Sequence, residues 1–314
     1  MAKPTFKKIM LNAKDEIKKF KAGFVTISGP PNSGKSTLLN TLCNAHLGAV
    51  SQKPHTTRIH VKGILTTENY QIVFIDTPGF IKPVTKLEKL MEFETKRALK
   101  YDADITVLCI EPNIKILEKN LDFIKSYFNN SNKEIITTVT KIDIYDKKEI
   151  EETKNLLKKI NNSSIILEIS SIKKININIL IDEIIKKLPV SPPYYPDDIL
   201  SDKWERFFVS ELIRETVFEL YEQEVPYSVA VSIEIFDEKR IPIYILAYLY
   251  VSKKTHKIII IGENGKKIKL LREKSQEKIK NFLNKEIKLE IYVKIRENWQ
   301  NDEKFINKIT EYYK

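Results

Sequence analysis

The stretch Gly29-Pro30-Pro31-Asn32-Ser33-Gly34-Lys35-Ser36 decides how this chain folds. It reads G-x-x-x-x-G-K-S. The apolar run 24–28 leads straight into it, and an amphipathic segment, 35–45, follows. Strand, glycine-rich turn and helix in that order make a phosphate-binding loop. The two glycines let successive N–H groups turn toward one anion, and the helix N-terminus adds partial positive charge. Pro30, Pro31, Asn32 and Ser33 form the body of the loop. Lys35 is placed for the β- and γ-phosphates of a nucleotide, and the Ser36 hydroxyl, beside Thr37, for Mg²⁺.

Outside this loop, apolar strand-like runs alternate with amphipathic stretches. Strands are expected at 24–28, 59–66, 70–76, 104–110, 134–139 and 164–169, and helices at 35–45, 87–100, 115–128, 147–160 and 177–188. That alternation predicts an α/β domain with a mostly parallel sheet and helices on both faces. Four prolines then fall within 189–196 and stiffen the chain. Beyond them the pattern changes to a helix over 203–222, strands over 227–236 and 243–252, a helix over 266–283 and a strand over 287–295, which is an α+β arrangement. The expected division is a basic extension 1–21, a nucleotide-binding domain 22–188, a proline-rich linker 189–201 and a second domain 202–314.

Three further motifs follow the phosphate loop, each at a strand end. Asp76-Thr77-Pro78-Gly79 closes strand 70–76. Its carboxylate can hold Mg²⁺, and the Gly79 N–H can meet the γ-phosphate until hydrolysis removes it. Thr140-Lys141-Ile142-Asp143 follows strand 134–139. The Asp143 carboxylate can accept both the N1–H and the N2 amino protons of guanine, and adenine has neither donor, so this residue selects GTP and GDP over ATP. The Lys141 stem can pack over the base. Ser170-Ser171 follows strand 164–169, near the guanine O6 edge. Thr56 and Thr57, in the loop 51–58, are candidates to complete the Mg²⁺ shell when the γ-phosphate is present. Each short motif alone is an ordinary turn; four in order at strand ends make a GTP site.

Glycine is scarce, with eight in 314 residues. Five are Gly29, Gly34, Gly79, Gly262 and Gly265, all in motifs that need a backbone free of Cβ. Net charge is +11, and residues 253–314 carry 17 Lys and Arg against 9 Asp and Glu. Most of the positive charge therefore sits at the C-terminal end, as on a nucleic-acid surface. Cys43 and Cys109 lie in apolar segments with no metal-site spacing, which fits reduced core thiols of a cytoplasmic protein. The hydrophobic content of 42 % excludes a disordered chain, and no run reaches the length of a membrane span. The extension 1–21 is Lys-rich and has no secretory h-region. Two readings of it remain, a tail or helix lying on the protein and an amphipathic helix on the inner membrane surface.

Taken together, Gly29–Asn40, Lys53–Arg58, Asp76–Gly79, Glu211–Glu215, Pro226–Ser228 and Ile261–Lys269 resemble the Era family of bacterial Ras-like GTPases. The likeness runs from Lys21 to the C-terminal helix. It implies a type II KH domain that binds the 3′ end of 16S ribosomal RNA and assists assembly of the small (30S) ribosomal subunit. On that reading Gly262-Glu263-Asn264-Gly265 is the GxxG loop that clamps a single-stranded backbone, with Lys266, Lys267 and Lys269 beside it to neutralise phosphates. Ile258–Ile261 reads as a strand by periodicity, whereas the family implies a short helix, the reading preferred here. No dimer motif is visible, so a monomer is expected.

The chain departs from the family pattern in places. Thr140 stands where most GTPases place Asn, Ser171 where Ala is usual, and Glu263 puts a negative charge inside the phosphate clamp. Phe80 follows Gly79 at the position where Ras carries a water-orienting Gln, so slow intrinsic hydrolysis is expected. Relatives with an apolar residue there recruit K⁺ through the loop Asn, here Asn32. The catalytic set is therefore Lys35, Thr57, Gly79 and Asn32. The coupling between GTP and RNA is expected to run through the proline-rich linker. Two rivals stand beside this reading: an RNA-binding scaffold with a vestigial nucleotide site, and an ATP-dependent kinase, which Asp143 opposes.

Overall fold

The computed structural model describes residues 20–51, 53, 56–79, 83–100, 103–130, 133–161 and 165–311. The extension 1–21 therefore lies outside the described residues save for its last two, and so does Phe80.

The first lobe is a six-stranded sheet in the order β2-β3-β1-β4-β5-β6. Its strands are β1 (Lys21–Ser28), β2 (Val61–Thr66), β3 (Tyr70–Asp76), β4 (Ile105–Ile110), β5 (Glu134–Val139) and β6 (Ile165–Glu168). Only β2 runs antiparallel. Strands β1 and β4 are buried along most of their length because helices cover both faces. On one side lie α1 (Lys35–Cys43) and α6 (Ile177–Lys187), which pack Leu38, Leu39, Leu180 and Ile184 onto the sheet. On the other, α3 (Ile114–Lys119), α4 (Leu121–Asn130) and α5 (Lys147–Ile160) bring in Leu117, Ile124, Ile150 and Leu157. Each such buried Leu or Ile contributes roughly 1.5–3 kcal/mol. The strand order reverses between β1 and β4, and ligands of open α/β sheets sit in the crevice at such a point.

The helix expected over 115–128 is two helices. Asn113 caps the first, its side chain accepting from Ile116 N at 3.2 Å. Asn120 ends it by returning its amide to Ile116 O at 2.8 Å, and the Asn120 carbonyl then starts the second by accepting from Ile124 N.

The second lobe is a three-stranded sheet, β7 (Val229–Asp237), β8 (Ile243–Val251) and β9 (Ile287–Ile295), in that order. Strands β7 and β8 are antiparallel, while β8 and β9 are parallel. Helices α7 (Glu205–Leu220), α8 (Lys254–Ile261) and α9 (Lys266–Leu283) cover one face with Ile213, Val217, Ile260, Leu271 and Ile279. Residues Ile258–Ile261 are thus helical, and the strand reading is corrected. His256 and Ile260, four apart, are the buried pair on α8. Near the other face, Trp299 is fully buried and donates from Nε1 to Ser228 O at 2.8 Å. Leu87 and Met91 of α2 (Lys86–Lys100) and Phe305 and Ile306 of α10 (Glu303–Glu311) complete that cluster, which joins the two lobes.

The connector is strapped to the first lobe. Gln71 of β3 donates to Tyr195 O and accepts from Tyr194 N and Tyr195 N. The Tyr194 ring lies 4.7 Å from that of Phe24. Ile64 N donates to Leu200 O, and Ser201 Oγ to Lys62 O, so the edge of β2 is covered rather than open.

Candidate nucleotide site and RNA surface

The phosphate loop folds as its sequence dictates. Gly29 has φ +147°, and a Cβ there would stand 2.2 Å from Cys109 O. Gly34 has φ +86° and opens α1. The Lys35 side chain is buried and curls over the loop, donating to Gly29 O at 3.2 Å and Pro30 O at 2.8 Å. Burial lowers its pKa, with Asp76 opposing. Polyphosphate oxygens would offer this ammonium stronger acceptors than two carbonyls.

Three oxygen-bearing side chains converge beside it. Ser36 Oγ donates to Asp76 Oδ2 at 2.7 Å and lies 3.0 Å from Thr57 Oγ1. Asp76 is fully buried at the end of β3, and its Oδ1 has no hydrogen-bond partner among the described residues. Burial raises its pKa to about 6, against the opposing effects of Ser36, Lys35 and Thr57. An unpartnered buried carboxylate oxygen beside two hydroxyls fits a hard divalent cation such as Mg²⁺, which would keep the carboxylate ionised. Gly79 rests against the loop, since a Cβ there would come within 3.0 Å of Pro31 Cα.

A cavity of about 690 Å³ opens here. Pro31, Asn32, Gly34, Lys35, Ser36, Thr37, Thr57 and Gly79 line one end, and Thr140, Lys141, Asp143 and Ser171 the other. Thr140 braces the phosphate loop. Its Oγ1 donates to Ser33 O at 2.8 Å and is 3.2 Å from Ile110 O, tying the phosphate loop to β4. Lys141 has φ +57°, and its Cε would touch a Cβ at Gly34, so its stem runs along the loop.

Other expected residues support the cavity from behind. Thr77 Oγ1 donates to Ile27 O at 3.0 Å, and Thr77 is fully buried. Ser170 accepts from Lys173 N and exchanges backbone bonds with Ile175, so it shapes the turn while Ser171 faces the cavity. Gly29, Pro30, Ser33, Asp76 and Pro78 underlie it.

Sequence reading missed Glu111. This residue follows β4 directly, and its carboxylate pairs with Lys141 Nζ at 3.0 Å while accepting from Tyr145 Oη. The pair holds the lysine that the base would stack on. Its signal was position alone, an acidic residue at the C-terminal edge of a central strand. Ile144 and Ile172, both exposed at the far wall, were also missed.

On the second lobe, α8 ends at Gly262 (φ +70°), Asn264 has φ +51°, and Gly265 (φ +74°) opens α9. The tight turn closes with Gly265 N donating to Gly262 O at 3.2 Å. A Cβ at Gly262 would lie 2.7 Å from Lys267 Cγ, so the lysine stem packs on the loop. Glu263, Asn264, Lys266, Lys267 and Lys269 surround it at the surface. Beside them an open groove runs between α9 and β9. Arg272, Gln276, Lys288 and Tyr292 line it together with Glu273 and Glu290, which lie near Arg272 and Lys288, and were missed, because the groove forms only when β9 pairs with β8. Three donors or cations and one aromatic ring suit a single nucleic-acid strand.

The comparisons match both lobes. The family described as "50S ribosome-binding GTPase" matches residues 24–141, and the one described as "KH domain" matches 224–300. The chain is 37 % identical over 292 residues to the GTPase Era of Caldanaerobacter subterraneus subsp. tengcongensis, covering 92 % of this chain and 97 % of that protein. It is 36 % identical over 290 residues to the GTPase Era of Clostridium kluyveri, covering 92 % and 98 %. Among solved structures, a variant of Aquifex aeolicus Era bound to GDP and AlF4⁻ superposes with a TM-score of 0.84 at 30 % identity, over 93 % of this chain and 99 % of that one. An Era in complex with MgGDPNP and nucleotides 1506–1542 of 16S ribosomal RNA gives 0.87 at 29 % identity, with the same coverage. With both folded parts matched and nearly the whole length covered, the chain belongs to the Era family of GTPases.

Proposed function

We propose that this chain binds and hydrolyses GTP to GDP and phosphate as a switch, binds the 3′ end of 16S ribosomal RNA through its second lobe, and assists assembly of the small (30S) ribosomal subunit. The observation that carries the reading is the one cavity lined by Lys35, Ser36, Thr57 and Asp143, with Asp76 beneath it bonded to Ser36. Asp143 and Lys141 hold guanine, Lys35 the β- and γ-phosphates, and the Gly79 N–H the γ-phosphate. Ser36, Thr57 and Asp76 would hold Mg²⁺, which supplies positive charge between the leaving and transferring phosphates. Phe80 cannot orient water as Gln does, so turnover is slow, ~10⁻⁴ to 10⁻² s⁻¹. The Thr140 tie argues against a vestigial nucleotide site.

Asn32, with φ +63° at the cavity wall, is the proposed K⁺ ligand. Hydrolysis is then faster in K⁺ than in Na⁺, as a phosphate-release assay would read. Equal rates, or an Asn32→Ala variant that keeps the stimulation, overturn this.

The protein acts as a cytoplasmic monomer. No helix among the described residues is long and apolar enough to cross a membrane. The proposed role at the inner membrane surface rests on residues 1–19, outside the described residues. The test of the RNA reading is crosslinking in the protein's own cells. One site near the 3′ end of 16S ribosomal RNA is expected, and it should vanish when Gly262 and Gly265 are both replaced by Asp. Recovery in proportion to RNA abundance would overturn the specific reading.

A further inference from the structure

The loop that carries Thr57 belongs to the first lobe and touches Ser36 there, yet several of its polar anchors among the described residues lie on the second. Glu215 of α7 is buried, and its Oε2 accepts from Val50 N at 3.0 Å and stands 3.0 Å from His46 Nε2. Its other oxygen pairs with Lys278 of α9 at 2.7 Å, and Lys278 also reaches Glu219 at 2.6 Å. Three residues further along the loop, Lys53 Nζ donates to Phe218 O at 2.6 Å, in the last turn of α7, and to Tyr221 O at its C-cap. Such carbonyls have no partner within the helix and carry partial negative charge. The Lys53 carbonyl in turn accepts from Thr56 Oγ1 at 2.9 Å. Directly after Thr57, Arg58 donates to Val229 O at 2.6 Å and Tyr227 O at 2.8 Å, and its guanidinium lies over the Trp299 ring. Thr57 is thus bracketed by two cations, at positions 53 and 58, both held by backbone oxygens of the other lobe.

We propose that Glu215, Lys53 and Arg58 are positioning residues for the GTP site, so that the docked second lobe sets Thr57 against Ser36 and raises affinity for GTP relative to GDP. The proposal rests on the GTPase reading and deepens it. Thr57 can reach a γ-phosphate-bound cation but has nothing to hold in the GDP state. Loosening its loop therefore costs GTP affinity and spares GDP affinity. Binding linkage is reciprocal: whatever GTP gains from the docked lobe, docking gains from GTP. The route is through direct contacts and not through the strapped connector. Lys278 places α9, which begins at Lys266, one side chain away from the loop of Thr57.

The test uses the full chain with Glu215→Gln and Lys53→Met, measuring dissociation constants for GDPNP and for GDP, each with Mg²⁺. Glu215→Gln removes the charge that holds Lys278 and His46. Lys53→Met breaks the clamp from the other side and leaves the second lobe unaltered. Each is expected to weaken GDPNP binding by ~10-fold, the scale of one missing charge-assisted hydrogen bond, with GDP binding changed less than about twofold. Equal weakening of both nucleotides would mean a structural role only, and no change in either would mean that the clamp is idle; both overturn the proposal. A wild-type chain that bound neither nucleotide would instead remove the GTPase reading and the proposal with it.

Discussion

Asp143→Asn is expected to turn the chain from a guanine binder into a xanthine binder. Asp143 lies in the turn between β5 and α5, facing the cavity two residues from Lys141. In the proposed site its carboxylate accepts hydrogen bonds from guanine N1–H and from the 2-amino group. The amide of Asn keeps one acceptor and gains a donor, which faces the 2-amino group of guanine and is repelled. Hydrogen bonds to a charged group are worth about 1.5–3 kcal/mol each. Losing one of them, with a donor set against a donor in its place, lowers GTP affinity by ~10- to 10²-fold or more. Xanthine carries an oxygen at position 2, which the new N–H can meet, so XTP affinity rises as GTP affinity falls. Competition between GTP and XTP for a fluorescent nucleotide reads both. Unchanged GTP binding would remove Asp143 from the base site.

Gly29→Ala is expected to abolish nucleotide binding and to destabilise the first lobe. The new methyl would stand 2.2 Å from Cys109 O and 2.9 Å from Ser33 Oγ, at φ +147°. Cys109 is in the middle of the central sheet and cannot retreat, because β4 is hydrogen-bonded to β1 and β5. The loop must shift instead. That shift breaks the Lys35 bond to Gly29 O, the Thr140 tie to Ser33 O, or both. Backbone strain and overpacking each cost about 1–3 kcal/mol. For a domain of this size that is a fall in Tm on the order of 10 °C. Thermal unfolding and nucleotide binding check the two parts; a variant with wild-type melting and affinity would show that the loop tolerates a side chain there.

The nucleotide site was largely legible because its parts are short in sequence. Loop, strand end and helix start are near neighbours along the chain, and glycines at positive φ announce themselves. What sequence hid was set by bonds across long separations. Thr140 looked like a defect until its hydroxyl was seen bridging Ser33 and Ile110. Glu111 and Lys141 lie far apart in sequence and carry no joint pattern. The periodicity of Ile258–Ile261 pointed to a strand, and the buried His256–Ile260 face decides for the helix that the family resemblance implied. The split at Asn120 was invisible because apolar spacing continues through it, and only the side-chain bond to Ile116 O ends the turn. The anchoring of Lys53 and Arg58 on backbone carbonyls could not be read at all, since any residue supplies a carbonyl.

The Gln71 strap bears on how far the lobes can part. Residues 189–201, if free and extended, would reach ~40 Å, a leash long enough to let the second lobe roam and dilute itself. Held along the sheet by Gln71, Phe24, Ile64 and Lys62, that length is already taken up, and the lobes are joined close to Asp202. A short tether keeps the local concentration of one lobe around the other high, in the millimolar range or above. Interactions that would be feeble between separate molecules then suffice to re-form, so the second lobe can let go of the first often without ever drifting out of its reach.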